Sequence, residues 1–174
     1  MSDRMVLLRE WDPADAPDLA AAINNINVLR NLRDGVPYPY SVPDAEDFIR
    51  STLNADPNSV YARAIRVDGK VVGSVGAFRQ ENVHHFSAEM GYYLAEEYWG
   101  GGIMTIAVRE AVGEIFKTTD IARIFATPYS YNAASCRVLE KAGFVFEGTL
   151  RKHAFKDGRF LDMNLYAVLK EGLI

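Results

Sequence analysis

The sequence predicts an α+β fold, built as a single mixed, mostly antiparallel sheet flanked by helices. Two Asp-Gly pairs, Asp68-Gly69 and Asp157-Gly158, each join runs of strand composition. Such a pair accepts φ > 0 at both turn positions and so marks a type I′ hairpin. Behind a run of three glycines, Met104, Val108, Ala111 and Ile115 recur at helical spacing, which gives a core-facing stripe. The order of elements completes the prediction: a strand, two or three helices, three antiparallel strands, a helix, a strand, a helix and two final strands.

Residues 5–11 alternate weakly and read as the first strand. Asp12-Pro13 starts a helix through Asn25, with Leu19, Ala22 and Ile23 on one face. A shorter helical piece covers residues 27–33. Residues 35–43 hold three prolines and two tyrosines and read as loop. Asp44 is expected to cap a helix ending near Leu53. Residues 61–67 and 70–79 form the first hairpin, and residues 86–94 the next strand. Residues 121–127 are a strand. Asn132 is a good N-cap and Gly143 a good C′ residue for the helix between them. Residues 144–156 and 159–169 form the last hairpin.

At 174 residues the chain reads as one domain, 1–174, large enough for a full core. No apolar run reaches the roughly 18 residues a membrane span requires. Met1-Ser-Asp-Arg has no apolar segment and does not read as a secretion signal. A single cysteine, Cys136, excludes an internal disulfide and a multi-cysteine metal site. These features point to the cytoplasm. The net charge of −4 and the lack of a basic stripe argue against nucleic acid as partner. An acidic chain suits a cationic amine. Of three histidines, His84 and His85 are adjacent and point apart in extended chain. With no His-x-x-x-His pair, no catalytic metal is predicted.

The most informative segment is Gly100-Gly101-Gly102, between the strand ending at Leu94 and the helix that begins at once. Strand, glycine loop and helix aim backbone N–H groups at an anion, helped by the helix dipole. Glu96 and Glu97 precede the loop, and no Lys or Arg lies between Arg79 and Arg109. A phosphate bound here is therefore held mainly by backbone. A P-loop is excluded because Ile103 and Met104 stand where its lysine and hydroxyl belong. The spacing also fails the dinucleotide fingerprint. Three glycines alone would equally suit a plain tight turn. The Asn132 to Phe144 helix, following an apolar strand, adds the second half of the pattern.

Together the two segments resemble the Gcn5-related N-acetyltransferase superfamily. In that family's cofactor motif an aliphatic residue, here Leu94, is followed five positions on by Gln or Arg and then by x-x-Gly-x-Gly/Ala, with Gly102 as the key glycine. Trp99 replaces the Gln/Arg and Met104 the last Gly/Ala. Trp-Gly-x-Gly-Ile-Met is similar to the branch that acetylates ribosomal-protein N-termini. Tyr38-Pro39-Tyr40-Ser41 with Asp44 to Phe48 resembles that branch's substrate-side loop and helix, and residues 144–150 and 162–167 its last strands.

The resemblance implies the acyl-CoA N-acyltransferase fold and acetyl-CoA as cosubstrate. The acceptor it implies is a primary amine: a protein N-terminus, an amino acid or peptide, or a small amine. It also implies that Tyr92, Tyr93 and Leu94 meet the pantetheine amides by strand addition. Trp99, Gly100, Gly101, Gly102, Ile103, Met104 and Thr105 would surround the pyrophosphate, with Ser135 near the thioester sulfur and Asn132, beyond its capping, at the pantetheine arm. A homodimer is compatible with it.

Direct attack by an amine needs a base and a proton donor for the leaving thiolate. Glu89 is the candidate base: period-two geometry puts it on one face with Gly91 and Tyr93, and relatives use a glutamate on this strand. Ser135, in the first turn of its helix, is the candidate donor. Some relatives place the base on the penultimate strand, which falls here on Ala154. His153 beside it would face the other side of a regular strand. Arg137 and Lys141, four apart, read as a solvated face that could also meet the nucleotide phosphate. Trp11, Tyr38, Tyr40, Phe48 and His84 are candidates for the acceptor pocket, with plain packing as the alternative. The competing function is a non-catalytic acyl-CoA sensor module.

Overall fold

The computed structural model describes residues 5–172, so the reading of the first four residues as no secretion signal lies outside it. The described chain forms a seven-stranded sheet in the order β1-β2-β3-β4-β5-β7-β6. The strands are β1 Val6–Arg9, β2 Val60–Val67, β3 Lys70–Arg79, β4 Ser87–Leu94, β5 Arg123–Ala126, β6 Val145–Lys156 and β7 Arg159–Leu169. β4 with β5 is the one parallel pairing among the described residues, and every other neighbour is antiparallel. Both predicted hairpins close on their Asp-Gly pairs, with φ of 50° and 86° at Asp68 and Gly69 and of 50° and 75° at Asp157 and Gly158.

Helices cover both faces. α1 Ala16–Ile23, α2 Ile26–Leu29 and α3 Val42–Leu53 lie on one side, and α4 Ile103–Thr118 and α5 Ala133–Lys141 on the other. β3 feeds both cores: Val71 packs with Leu19, Ile23 and Ile49, while Val72 and Val75 pack with Val108, Ala111 and Leu139, because the pairing with β2 shifts register between Arg66↔Val71 and Ile65↔Gly73 and the alternation changes phase there. β3 is thus buried on both faces, which explains its nearly unbroken apolar run.

Two sequence expectations change. Asp12-Pro13 starts a short 3₁₀ turn, Pro13–Asp15, before α1 begins. The cap of α3 is Ser41, three residues before the expected Asp44. Ser41 Oγ accepts from Asp44 N at 3.3 Å and Asp44 Oδ2 accepts from Ser41 N at 2.8 Å, a reciprocal box that Pro43 in the first turn leaves intact because its missing N–H is not needed there. Hydrogen bonds from Ser41 also hold the Asp44 carboxyl below the usual carboxylate range. Ser41→Ala is expected to destabilise the fold by about 1 kcal/mol, a fall of roughly 2–4 °C in Tm for a chain this long. Thermal melting followed by circular dichroism checks it.

The aromatic residues proposed for an acceptor pocket mostly pack instead. Trp11 and Tyr40 are buried in the core under α1 and α3. Phe48 meets Trp11 edge-on at 5.6 Å. Burial and the nearby Asp44 raise the Tyr40 phenol to about 12. Tyr38 is exposed.

Candidate active site

The sheet opens at its centre. β4 pairs with β5 only through Ser87↔Arg123, Ala88↔Ile124 and Glu89↔Phe125, while β4 itself continues to Leu94. On its other side β4 stays paired with β3 to the end. Gln80 N donates to Ser87 O at 2.9 Å and Ala95 N to Val72 O at 2.8 Å. Alternation then turns the main chain of Glu89, Gly91 and Tyr93 toward β3 and that of Met90, Tyr92 and Leu94 toward the gap. The gap edge therefore offers peptide groups for an extended ligand, as in strand addition. Among the three residues expected to meet pantetheine, Tyr92 and Leu94 present main chain there. Tyr93 pairs with Ser74 and packs its ring in the other core.

This edge leads into the glycine loop. Gly100 and Gly102 have φ of 77° and 76°, left-handed values that glycine adopts without strain. A Cβ built on either would meet no protein atom within 4 Å, so space is open in front of the loop. Gly102 is the N-cap of α4 and no side chain caps the helix. The N–H groups of Ile103, Met104 and Thr105 thus have no partner within the helix, whose first bond is Ile106 N to Gly102 O at 3.2 Å. The side chains of Ile103 and Met104 are buried, which leaves their backbone to face a ligand. Trp99 Nε1 donates to Leu94 O at 2.8 Å, so the indole braces the loop against the strand end.

Glu89 lies at the last β4–β5 pair, where the gap begins. Arg33, from the segment after α2, donates to both of its carboxylate oxygens, and Thr127 Oγ1 donates to Oε1 at 3.0 Å. Arg33 Nη2 also reaches Thr127 Oγ1 at 2.8 Å. The bond to Glu89 raises the Arg33 guanidinium above its ordinary value despite partial burial. Glu89 faces a cleft of about 680 Å³ lined by residues that include Arg33, Arg123, Thr127, His153 and Met163. Arg123 is taken up by Glu147, with Nη1 to Oε1 at 2.8 Å, and this bond holds the Glu147 carboxyl below the usual range. Lys156 is taken up by Asp34 at 2.9 Å.

Ser135 stands in the first turn of α5, with its N–H donating to Asn132 Oδ1 at 3.2 Å. Across the gap, Tyr92 Oη lies 2.8 Å from Ser135 Oγ and donates to Ser135 O at 3.2 Å. Burial pushes the Tyr92 phenol well above its ordinary value, so it stays protonated at neutral pH.

The sequence profile of the acetyltransferase (GNAT) domain matches residues 5–145. The chain belongs to the GNAT acetyltransferase family. An uncharacterized N-acetyltransferase of Bacillus subtilis, YoaA, is 30% identical over 172 residues, spanning 97% of this chain and 95% of the relative. The ribosomal-protein-serine acetyltransferase of Escherichia coli is 26% identical over 78% of each chain. Among solved structures, Mycobacterium smegmatis RimJ in complex with CoA-disulfide is 26% identical with a TM-score of 0.85, covering 97% of this chain and 83% of that one. This GNAT protein is an N-acetyltransferase with the acyl-CoA N-acyltransferase fold.

Within this GNAT site, three features escaped the sequence. Arg33 and Thr127 are 56 and 38 residues from Glu89, and no local pattern links them. The Tyr92 hydroxyl at Ser135 was likewise not foreseen, although period two puts Tyr92 on the α5 side of β4. His153 corrects an assumption of regular strand geometry. β6 shifts register between Leu150 and Ala154, with Lys152 at φ 52°. Through that bulge His153 and Ala154 both line the cleft, together with His84. Among the described residues no cluster of His, Cys, Asp or Glu is arranged to hold a metal, and no helix is long and apolar enough to cross a membrane.

Proposed function

We propose that the chain, as one domain spanning 1–174 and working in the cytoplasm, moves an acetyl group from acetyl-CoA to a primary amine by direct attack. The observation that carries this reading is the continuity of unpaired main chain. It runs from the gap edge at Tyr92 and Leu94, the Leu94 carbonyl apart because Trp99 Nε1 takes it, through Gly100–Gly102 to the uncapped start of α4, with Glu89 at its inner end. An extended arm with amides followed by a pyrophosphate suits that line: peptide groups meet the amides, and the dipole end meets the charge. Asn132 serves first as helix cap, and its remaining amide protons are available to the arm.

Glu89 takes a proton from the incoming ammonium, directly or through water. Glu89 passes that proton to solvent; the amine nitrogen bonds to the acetyl carbon, gives up its second proton to water, and the carbon–sulfur bond breaks. Ser135 Oγ gives the sulfur a proton and recovers one from solvent, the Tyr92 hydroxyl turning from Ser135 O to donate to Ser135 Oγ as it does so. A protein N-terminus is supported as acceptor by the relative that acts on a ribosomal protein. An amine pocket and a base beside the gap favour catalysis over a silent acyl-CoA sensor.

The test is CoA release with a panel of amines and peptides. No release, with acetyl-CoA binding demonstrated by calorimetry, would defeat the reading. Ser135→Ala is expected to lower kcat about tenfold to a hundredfold with little change in KM for acetyl-CoA. A rise in KM at unchanged kcat would reassign Ser135 to binding.

A further inference from the structure

In the described state Glu89 is engaged on both carboxylate oxygens. Its Oε1 accepts from both Arg33 and Thr127, and its Oε2 accepts from Arg33 Nη1 at 3.2 Å. A guanidinium that grips both oxygens neutralises the charge that would draw a cationic amine and itself repels that amine. Whatever acceptor reacts must first move Arg33.

Arg33 is built to move. It lies in the segment between α2 and α3, outside any regular helix or strand, and its side chain is 61% exposed while that of Glu89 is 23% exposed. An exposed ion pair of this kind contributes little to stability. The neighbouring segment is fixed independently. Tyr129 Oη donates to Leu32 O at 3.4 Å, Tyr131 Oη to Arg30 O at 2.8 Å, and Lys156 holds Asp34. The backbone therefore stays while the guanidinium swings. Among the described residues, the nearby carboxylates are already engaged, Asp34 by Lys156 and Glu147 by Arg123.

We infer that Arg33 selects acceptors carrying a carboxylate close to the amine, and that such an acceptor draws the guanidinium off Glu89 and thereby frees the base. This rests on the amine-acetylation reading above and names its substrate class. The acceptor's carboxylate takes the bidentate place that Glu89 held, so the charge on Arg33 stays neutralised throughout. Its amine then lies between Arg33 and Glu89, with Thr127 still donating to the carboxylate. An amine without a carboxylate must break the Arg33–Glu89 pair and leave the guanidinium unmatched. The chemistry fits two sources: a free α-amino acid, or a peptide whose first residue is acidic.

The experiment measures kcat/KM for matched acceptors: leucine against leucinamide, and an Asp-Ala-Ala amide against an Asn-Ala-Ala amide. The carboxylate-bearing member of at least one pair is expected to be favoured about tenfold to a hundredfold. The pair that discriminates identifies the source. In Arg33→Ala the favoured acceptor should fall by about tenfold or more, while its uncharged partner should rise because Glu89 is no longer held. Arg33→Lys, which keeps the charge and loses the fork, should give an intermediate ratio. The ratio within a pair is insensitive to a general loss of folded enzyme. Transfer to all acceptors without preference, or equal losses for both members in Arg33→Ala, overturns the inference and leaves the acetyltransferase reading standing. Transfer to none, with acetyl-CoA bound, overturns both.

Discussion

Glu89→Gln is expected to reduce kcat by about 10²–10⁴-fold, the range associated with losing a positioned general base. The substitution keeps the shape of the side chain and one acceptor oxygen for Thr127 and Arg33 Nη2. It removes the negative charge, the proton affinity and the second acceptor that takes Arg33 Nη1. Stability should change little, because the pair it breaks is with a largely exposed arginine. KM for acetyl-CoA should hold, since the glycine loop lies at the far end of the gap edge. Steady-state kinetics with a carboxylate-bearing amine, read beside a thermal melt, decide the matter. A kcat within a few-fold of the parent would mean that water or another group takes the proton, and Glu89 would then be reduced to an anchor for Arg33.

The second large effect is expected at Gly102. Its φ of 76° is left-handed, and a branched side chain there costs about 1–2 kcal/mol in backbone strain. No protein atom would meet the new Cβ, so the structure itself leaves room for the methyl groups. That room is where a phosphate must stand to reach the N–H groups at the start of α4. Gly102→Val should therefore raise KM for acetyl-CoA by about tenfold or more, through loss of charge-assisted backbone bonds, with a melting point only a few degrees lower. Gly102→Ala should fall between. An unchanged KM alongside a lowered melting point would show that the glycine serves the turn alone.

Much of the architecture was readable because its punctuation is local. Asp68-Gly69 and Asp157-Gly158 declare their turns through two residues, and Asn132 with Gly143 bounds α5 by capping chemistry alone. The α3 cap was misassigned for an instructive reason. Ser41 and Asp44 form a reciprocal box, so either residue looks like a cap until the hydrogen bonds assign the roles. The bulge in β6 was invisible because one non-glycine residue, Lys152, adopts a left-handed φ that its side chain does not advertise. The aromatic residues of the 38–48 region were ambiguous in sequence because packing and ligand binding ask for the same side chains. Trp11 and Tyr40 differ from pocket residues only in what the fold lays over them.

The catalytic neighbourhood divides along the same line. The glycine loop and the helix bearing Ser135 were readable as structure because each is a short contiguous stretch set by glycine conformation and capping. The partners of Glu89 come from a segment before α3 and from the end of β5. Their meeting depends on strand order, and strand order is a property of the whole sheet.

Only three residue pairs join β4 to β5, so this sheet resembles two panels sharing a short seam. A guest that bridges the opening would add rungs on the missing length and make one continuous plate of both. Loading the acyl donor would then stiffen the wall against which the acceptor must lean. An ordered sequence of arrival, donor before acceptor, would follow from architecture alone.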